Sequence, residues 1–227
     1  MGKSTVWPFT VGAVIVAILL AAAMMAGCSG KSYSLTKDAA LVSQWGDTVQ
    51  YKVDKSWDDS NDATSNDSYC SDTWNTQDWK TSVRVVLSNT DDTTYGYSKD
   101  STYAGWQKQM ENEYSKSAEE QAKEINSLST SATVDADNLT SFSNCQIEDT
   151  GTVSVDGQEI RTFSVSYHYK NSDSGDRNSN GSSANNQPEG DITDYYGLIK
   201  DGDHDLEVSA SDSQLLKDVL STMTFSW

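Results

Sequence analysis

The chain has 227 residues, enough for one domain with a sizeable core. It carries 34 Asp and Glu residues against 16 Lys and Arg, which gives a formal net charge of −18 at pH 7. Because such a surface repels nucleic acid, the composition argues against a DNA- or RNA-binding function and predicts no nucleic-acid partner. The plain interpretation is a solvated acidic surface, although high-salt adaptation or loose binding of divalent cations would give the same composition.

The first 27 residues are typical of an export signal. They contain no Asp or Glu, and Lys3 is their one charged side chain. Val11 to Met25 is a run of 15 apolar or glycine residues, whereas a helix needs about 20 apolar residues to span a bilayer. The run suits the apolar core of a secretory signal and predicts an N-terminal signal helix. Residues 21–23 offer an ordinary signal-peptidase site, and an uncleaved membrane anchor is a further alternative.

The apolar run ends in Met25-Ala26-Gly27-Cys28. This segment resembles the lipobox of bacterial lipoprotein precursors, with Met25 at the position where that family usually has Leu. The resemblance implies a signal peptide over residues 1–27, acylation of the Cys28 thiol and a mature protein that begins at Cys28. Two or more acyl chains anchor a protein stably, since each buried methylene contributes about 0.8 kcal/mol. We therefore expect a membrane partner through Cys28 and attachment to the extracytoplasmic face of the cell membrane.

Two further cysteines, Cys70 and Cys145, remain for the mature protein. Export would place them in an oxidising space, where a disulfide between them is expected and two unpaired thiols are the alternative. Closing a loop of that length would stabilise the fold by about 4 kcal/mol through chain entropy. Neither cysteine has a second Cys or His at ligand spacing, so the sequence predicts no metal site there.

The mature chain is predicted to be a small polar tether, residues 28–37, followed by a single domain, residues 38–227. Alternating apolar side chains from Val49 to Val53 predict a strand. The acidic low-complexity stretch 58–68 predicts a loop, and the β-branched run at 81–88 predicts a buried strand.

One long helix is predicted after these strands, with Asp100 and Ser101 as candidate N-caps. Apolar or small side chains recur at close to the helical period of about 3.6 residues. They are Tyr103, Trp106, Met110, Tyr114, Ala118, Ala122, Ile125 and Leu128. Such a stripe is typical of a helix face that packs on a sheet, although it can also line a ligand pocket.

The second half of the chain predicts more antiparallel sheet. Residues 145–155 and 159–169 predict a hairpin around Asp156-Gly157, and the low-complexity stretch 171–191 predicts a loop. A second hairpin is predicted from 192–200 and 206–210, and Asp212 is the candidate cap of a short helix at 213–221 that leads into a last strand. The predicted fold class is α+β, a mainly antiparallel sheet with one long and one short helix packed on it.

Two stretches carry a resemblance to a known fold family. They are VDGQEIRTFSVSYHY, residues 155–169, and LLKDVLSTMTFSW, residues 215–227. Together with the order of elements, they resemble the PsbP-like α/β/α sandwich of exported bacterial lipoproteins. The resemblance covers roughly residues 38–227. It implies an antiparallel sheet between helices and a role in binding or assembly, and it supplies no catalytic residues.

Catalytic constellations are poorly supported by the sequence. A nucleophilic mechanism needs a base beside the nucleophile, and the two histidines, His168 and His204, both fall where surface residues are expected. No G-x-S-x-G motif is present. Paired carboxylates that hydrolyse glycosides remain an alternative, because the chain has many acids and 22 Phe, Trp and Tyr side chains.

A calcium loop is the most concrete alternative site. Residues Asp176, Asn178, Asn180 and Gly181 match the first half of a D-x-[DN]-x-[DN]-G loop, but its twelfth position is Gln187 rather than Glu.

Asp201, Asp203 and Asp205 have the same spacing, although Leu206 occupies the glycine position. We therefore predict no metal, no cofactor and no catalytic residue. The expected function is a non-enzymatic binding or assembly lipoprotein with an unknown envelope or extracellular partner. An envelope carbohydrate hydrolase and a weak calcium-binding surface protein are the alternatives.

Overall fold

The structure is a computed structural model that describes residues 33–59, 64–65, 69–77, 80–89, 102–128, 135–136, 139–171, 189–202 and 204–227. Strands make up most of the regular structure in these residues, and three helices accompany them. This content confirms an α+β protein built mainly from antiparallel sheet. Tyr33–Trp227 forms one compact unit. The predicted signal helix lies outside the described residues.

The elements follow one another along the chain as a strand-rich first part, two consecutive helices, two long hairpins and a helix before the last strand. The strands are β1 (Leu35–Val42), β2 (Thr48–Asp54), β3 (Asp58–Asp59), β4 (Thr64–Ser65), β5 (Tyr69–Asn75), β6 (Ser82–Ser88), β7 (Ser141–Val155), β8 (Gln158–Lys170), β9 (Glu189–Lys200), β10 (Asp205–Ala210) and β11 (Thr224–Ser226). The helices are α1 (Tyr103–Glu113), α2 (Ala118–Leu128) and α3 (Ser213–Leu220).

The strands form two antiparallel sheets. The small sheet has the order β1-β2-β11, and the large sheet has the order β3-β5-β6-β10-β9-β8-β7, with β4 also paired to β5. The hairpin between β7 and β8 turns at Asp156 and Gly157, whose φ angles are +49° and +80°. Positive φ at both central residues is what a two-residue hairpin turn needs, so the predicted turn is confirmed.

One face of the large sheet packs against the small sheet and α3. Successive strand residues point to opposite sides, so alternate positions of each strand supply this core. Its fully buried members include Val49, Val53, Val83, Val85, Leu206, Val208, Leu215, Val219 and Leu220. Gly197 in β9 allows α3 to approach closely, because a Cβ there would lie 3.1 Å from Ile160 Cγ2 and from Leu220 Cδ1.

The opposite face of the large sheet packs against α1. Trp106 and Met110 are the buried residues of the helix, and they contact a second core on β8 and β9. That core consists of Phe163, Val165, Tyr167, Tyr196 and Leu198. The first half of the predicted apolar stripe therefore packs on a sheet, as expected.

The single long helix predicted for residues 103–128 is wrong, because α1 ends and α2 begins within that range. Tyr114 leaves the helical conformation with φ −90° and ψ 19°. The Glu120 backbone N–H then donates to Ser117 Oγ at 3.2 Å, and the Ser117 N–H donates to Glu120 Oε2 at 2.9 Å. This reciprocal pair is a capping box that starts a new helix. The apolar spacing continues through the break, which is why periodicity alone missed it.

The N-cap of α1 is Thr102, whose Oγ1 accepts a hydrogen bond from the Gly105 N–H at 3.1 Å. The candidates Asp100 and Ser101 lie outside the described residues. At α3 the predicted cap is confirmed, since Asp212 Oδ1 accepts bonds from the Gln214 and Leu215 N–H groups.

Other differences concern strand limits. β1 begins at Leu35, within the predicted tether, and β9 begins at Glu189, within the predicted 171–191 loop. β3 and β4 fall within the predicted 58–68 loop, and both pair with β5. The sequence reading missed β5 because its residues, YCSDTWN, are largely polar.

β7 is an edge strand interrupted by irregularities. Its register with β8 shifts between Ser143 and Gln146 and again between Asp149 and Gly151. Asn144 has φ +58° and Gly151 has φ +117°, both in the left-handed region. Asp149 receives the Gly151 N–H at 2.9 Å and also pairs with Arg161, whose NH2 lies 2.6 Å from Asp149 Oδ2.

Candidate functional site

Six side chains from α1 and the large sheet form what we name the acid–aromatic cluster. They are Trp106, Tyr114, Tyr167, Asp194, Tyr196 and Glu207. Trp106 lies on the face of α1 that packs on the sheet, and Tyr114 is the residue that caps the end of α1. Alternate positions on β8, β9 and β10 bring the other four to the face that α1 covers.

The first half of the cluster joins α1 to β10. The Trp106 indole Nε1 donates to Glu207 Oε2 at 2.9 Å. The same indole ring lies 5.1 Å from the Phe163 ring and 5.2 Å from the Tyr196 ring, measured between centroids. Trp106 thus combines a polar bond with the apolar contacts of a buried aromatic side chain.

The second half lies where α1 ends. Tyr114 stacks on Tyr167 with centroids 4.1 Å apart, and the Tyr114 and Tyr196 hydroxyls are 3.5 Å apart. The Tyr167 hydroxyl donates to Asp194 Oδ2 at 2.9 Å. The three tyrosines and Asp194 therefore form a continuous polar line inside an aromatic core.

Burial sets the acidity of these groups. Desolvation raises the pKa of Asp194 above its ordinary value, against the opposing effect of the bond from Tyr167. Desolvation also raises the pKa of Glu207, while Lys200 and the bond from Trp106 oppose that shift. The pKa of Tyr167 is raised as well, first by burial and then by the nearby Asp194. The carboxyl groups accept a proton more readily than usual, and Tyr167 does not ionise near neutral pH.

Asp194 and Glu207, two of the carboxyl groups with a raised pKa, are not spaced like a glycosidase pair. Glu207 is opposite Leu198 in the sheet, four residues along β9 from Asp194, which is about 13 Å at the usual rise of a strand. Retaining and inverting enzymes use separations of about 5 to 9.5 Å.

Asp205 lies nearer to Glu207, two residues along the same side of β10 and so about 7 Å away. Its carboxylate is held in an ion pair by Lys200, and both side chains are largely buried.

A second polar group lies between the two sheets. Asp72 Oδ2 accepts hydrogen bonds from the Tyr51 hydroxyl and from Trp74 Nε1, the latter at 2.9 Å. Trp74 Nε1 also lies 3.2 Å from the Tyr51 oxygen, and the Lys37 ammonium lies 4.0 Å from the centre of the Trp74 ring. Asp72 is 6% exposed, and its Oδ1 has no hydrogen-bond partner among the described residues. Burial, followed by the bond to Asp72, raises the pKa of Tyr51.

The predicted disulfide between Cys70 and Cys145 is not present in the structure, in which both are free thiols. Cys70 lies on β5 and Cys145 on β7, with four strands of the same sheet between them. Five strand spacings of about 4.8 Å separate them by roughly 24 Å, whereas a disulfide needs Cα atoms within about 7 Å. Burial, with a smaller contribution from Asp47, raises the pKa of Cys70 to about 11.

The two histidines are partly exposed and each pairs with an aspartate. His168 Nδ1 lies 2.9 Å from Asp191 Oδ1. His204 Nδ1 lies 3.2 Å from Asp201 Oδ2, and its ring stacks on Trp227 with centroids 4.5 Å apart. Both arrangements are those of surface side chains.

The remaining candidate positions are not brought together. Asp201 pairs with His204 and Asp205 with Lys200, while Asp203 lies outside the described residues. The candidate calcium loop at 176–187 and the lipidation site Cys28 also lie outside them. Within the described ranges, no group of three or more His, Cys, Asp and Glu side chains is placed to hold a metal ion.

Sequence reasoning did not single out Asp72, Asp194 or Glu207. Asp72 and Asp194 each lie two residues along a strand from an aromatic side chain, as in Asp194-Tyr195-Tyr196, whereas Glu207 has Asp205 and Ser209 at that spacing. For Asp72 and Asp194, an acid on the same side of a strand as a buried aromatic residue was the available signal, and Glu207 had none of this kind. The chain has 34 acids, so that signal becomes specific only when the sheet register is known.

No family model, curated protein or solved structure matches the chain. The resemblances to lipoprotein precursors and to the PsbP-like sandwich therefore stay predictions. Among the described helices, none is long and apolar enough to cross a membrane.

Proposed function

We propose that the protein is a cell-envelope lipoprotein, anchored through Cys28 and acting as a non-enzymatic binding or assembly module outside the cytoplasmic membrane. The observation that carries the proposal is the position of Met25-Ala26-Gly27-Cys28 at the end of a 15-residue apolar run. An apolar run of that length suits a cleaved signal better than a membrane span. Cys28 then attaches the domain to the membrane and takes no part in chemistry.

The contacts of the acid–aromatic cluster support a non-enzymatic role. Glu207 and Asp194, the two carboxyl groups of the cluster, have a raised pKa, and each accepts a hydrogen bond from an aromatic side chain. The donor to Glu207 is Trp106 on α1, and the donor to Asp194 is Tyr167, which stacks on Tyr114 at the end of α1. Such bonds attach a helix to a sheet, and they satisfy the polar groups that the packing buries. The raised pKa of Glu207 and Asp194 is therefore explained by their burial in this helix–sheet packing.

Metabolic labelling with palmitate tests the anchor. We expect the wild-type protein to incorporate the label and to accumulate as a precursor when globomycin blocks lipoprotein signal peptidase. The Cys28→Ala variant should lose both behaviours, and the matched Cys145→Ala variant should keep them. Labelling of Cys28→Ala, or no labelling of the wild type, would overturn the anchor.

Affinity purification from the native envelope tests the binding role. The tagged, lipidated protein is compared with the Cys28→Ala form, which carries the same folded domain. We expect one or more envelope components to be recovered in stoichiometric amounts with the anchored protein. If repeated recoveries after chemical cross-linking contain no such component, the binding role is refuted.

A carbohydrate hydrolase is the second candidate, because Asp205 and Glu207 lie on the same side of β10 about 7 Å apart. Hydrolysis of envelope polysaccharides that Glu207→Gln abolishes, with the far-UV spectrum unchanged, would favour this function. A purified wild-type protein that releases no reducing ends would eliminate it.

A further inference from the structure

The small sheet turns one face away from the core. Alternate residues of β1 and β2 are exposed, while Val49, Tyr51 and Val53 between them are buried. We name the exposed set the outer face of the small sheet. It consists of Asp38, Ala40, Val42, Thr48, Gln50, Lys52, Thr224 and Ser226.

This outer face and its rim carry one cation, Lys52, and two acids, Asp38 and Asp54. Lys52 Nζ lies 3.4 Å from Asp38 Oδ1, so the cation pairs with one of the two acids. The other six side chains are uncharged, and Val42 is 60% exposed. Asp54 lies at the rim, where its carboxylate accepts bonds from the Ser56 N–H and hydroxyl. A face with a single unpaired acid contrasts with a chain whose formal net charge is −18.

The chain enters this sheet close to the proposed anchor. Seven residues along the chain separate Cys28 from Leu35, the first residue of β1. A chain rises at most about 3.6 Å per residue, so this connection spans no more than about 25 Å. An acyl group on Cys28 would therefore hold the start of β1 within one domain diameter of the lipid head groups.

Electrostatics then selects an orientation. Removal of residues 1–27, which contain Lys3 and no acid, leaves a mature net charge of −19. Charges act over about 8 Å at physiological ionic strength, so the face nearest the head groups determines the repulsion. The outer face of the small sheet contributes little, because Asp54 at its rim is its one acid without a cation, and Val42 adds apolar surface that interfacial contact removes from water.

We propose that the outer face of the small sheet is the surface that lies against the lipid head groups of the membrane in which Cys28 is anchored. The inference rests on the proposed lipid anchor and adds the orientation of the domain. The large sheet and α1 then face away from the membrane, where an envelope partner reaches them.

Spin-label relaxation measures this orientation in the lipidated full-length protein. Labels are placed at Gln50→Cys on the outer face and, as the matched control, at Gln109→Cys, an exposed position on α1. Both variants carry Cys145→Ser, and Cys70 is 1% exposed and does not label. The protein is reconstituted in vesicles of phosphatidylcholine and phosphatidylglycerol that contain a nickel-chelating lipid.

We expect the relaxation enhancement at position 50 to exceed that at position 109 at least threefold. Val42→Glu with Ser226→Glu should reduce the enhancement at 50 to the level at 109, because two acids would repel the face from the head groups. A protein that floats with the vesicles but shows equal enhancement at both positions overturns the orientation alone. A protein that neither floats nor takes up palmitate overturns the anchor and the orientation together.

Discussion

Asp72 is the buried carboxylate whose replacement tests the contact between the two sheets. Its Oδ2 accepts bonds from Tyr51, which is 2% exposed, and from Trp74, which is 5% exposed. In Asp72→Ala both donors lose this acceptor, although Trp74 Nε1 keeps the Tyr51 oxygen at 3.2 Å. Each buried group left without a partner costs about 1–3 kcal/mol. Since the Tyr51 hydroxyl is the one donor left without an acceptor, we expect Asp72→Ala to lower the free energy of unfolding by about 1–3 kcal/mol.

The matched control is Asp72→Asn, which keeps an oxygen acceptor of the same size and removes the buried charge. We expect it to change the free energy of unfolding by less than about 1 kcal/mol, since the lost charge-assisted bonding is offset by a smaller desolvation cost. Urea titration followed by tryptophan fluorescence measures both variants. A protein of this size shifts its Tm by about 2–4 °C per kcal/mol, so Asp72→Ala should melt roughly 2–12 °C lower.

A double-mutant cycle with Tyr51→Phe isolates the bond. The coupling free energy between Tyr51 and Asp72 should fall within the range of about 0.5–3 kcal/mol that contacting residues show. Equal losses in Asp72→Ala and Asp72→Asn, or a coupling near zero, would refute the assignment of Asp72 as the acceptor that joins the sheets.

Three further outcomes follow from the described contacts. Because burial raises the pKa of Glu207 above 4.5, the folded state binds more protons than the unfolded state just above pH 4.5, and stability falls as the pH rises through the folded pKa. Glu207→Gln should flatten this dependence, as urea titrations from pH 4.5 to 8 will measure. Cys145 should react with Ellman's reagent in the native protein and Cys70 only after unfolding, since Cys70 is 1% exposed. Equal reactivity of the two thiols would contradict the burial of Cys70. A reducing agent should leave the Tm unchanged, because both cysteines are free thiols. Ser117→Ala should cost about 1 kcal/mol in the same assay through loss of the α2 cap, unlike the control Ser127→Ala at the other end of that helix.

Short sequence patterns correctly predicted those features of the fold that depend only on neighbouring residues. The alternation in β2, the Asp156-Gly157 turn and the Asp212 cap each depend on residues adjacent in sequence, and the structure confirms all three. The break between α1 and α2 was missed although Ser117 and Glu120 carry its signal, because the apolar spacing runs through it without interruption.

Pairing between distant strands could not be predicted in the same way. β5 is stabilised as a strand by β6 on one side and by β3 and β4 on the other, and its own residues are largely polar. The disulfide prediction failed for a related reason. The number of cysteines and the expected export to an oxidising space favoured a bond, but strand order places Cys70 and Cys145 on strands with four others between them. The acid–aromatic cluster could not be predicted for the same reason. Its residues Trp106 and Glu207, which share a hydrogen bond, are 101 residues apart in sequence.

The irregular edge of β7 has a consequence for crowding. A lipoprotein confined to a membrane meets other copies of itself at high local density, and an exposed strand edge is a template for pairing with such a copy. The two register shifts divide the 15 residues of β7 into runs of three, four and five that keep a regular ladder. Bulges also twist a strand away from a flat partner. The irregularities therefore hinder pairing at the β7 edge, and under the proposed membrane anchor they would limit association between neighbouring copies of the domain.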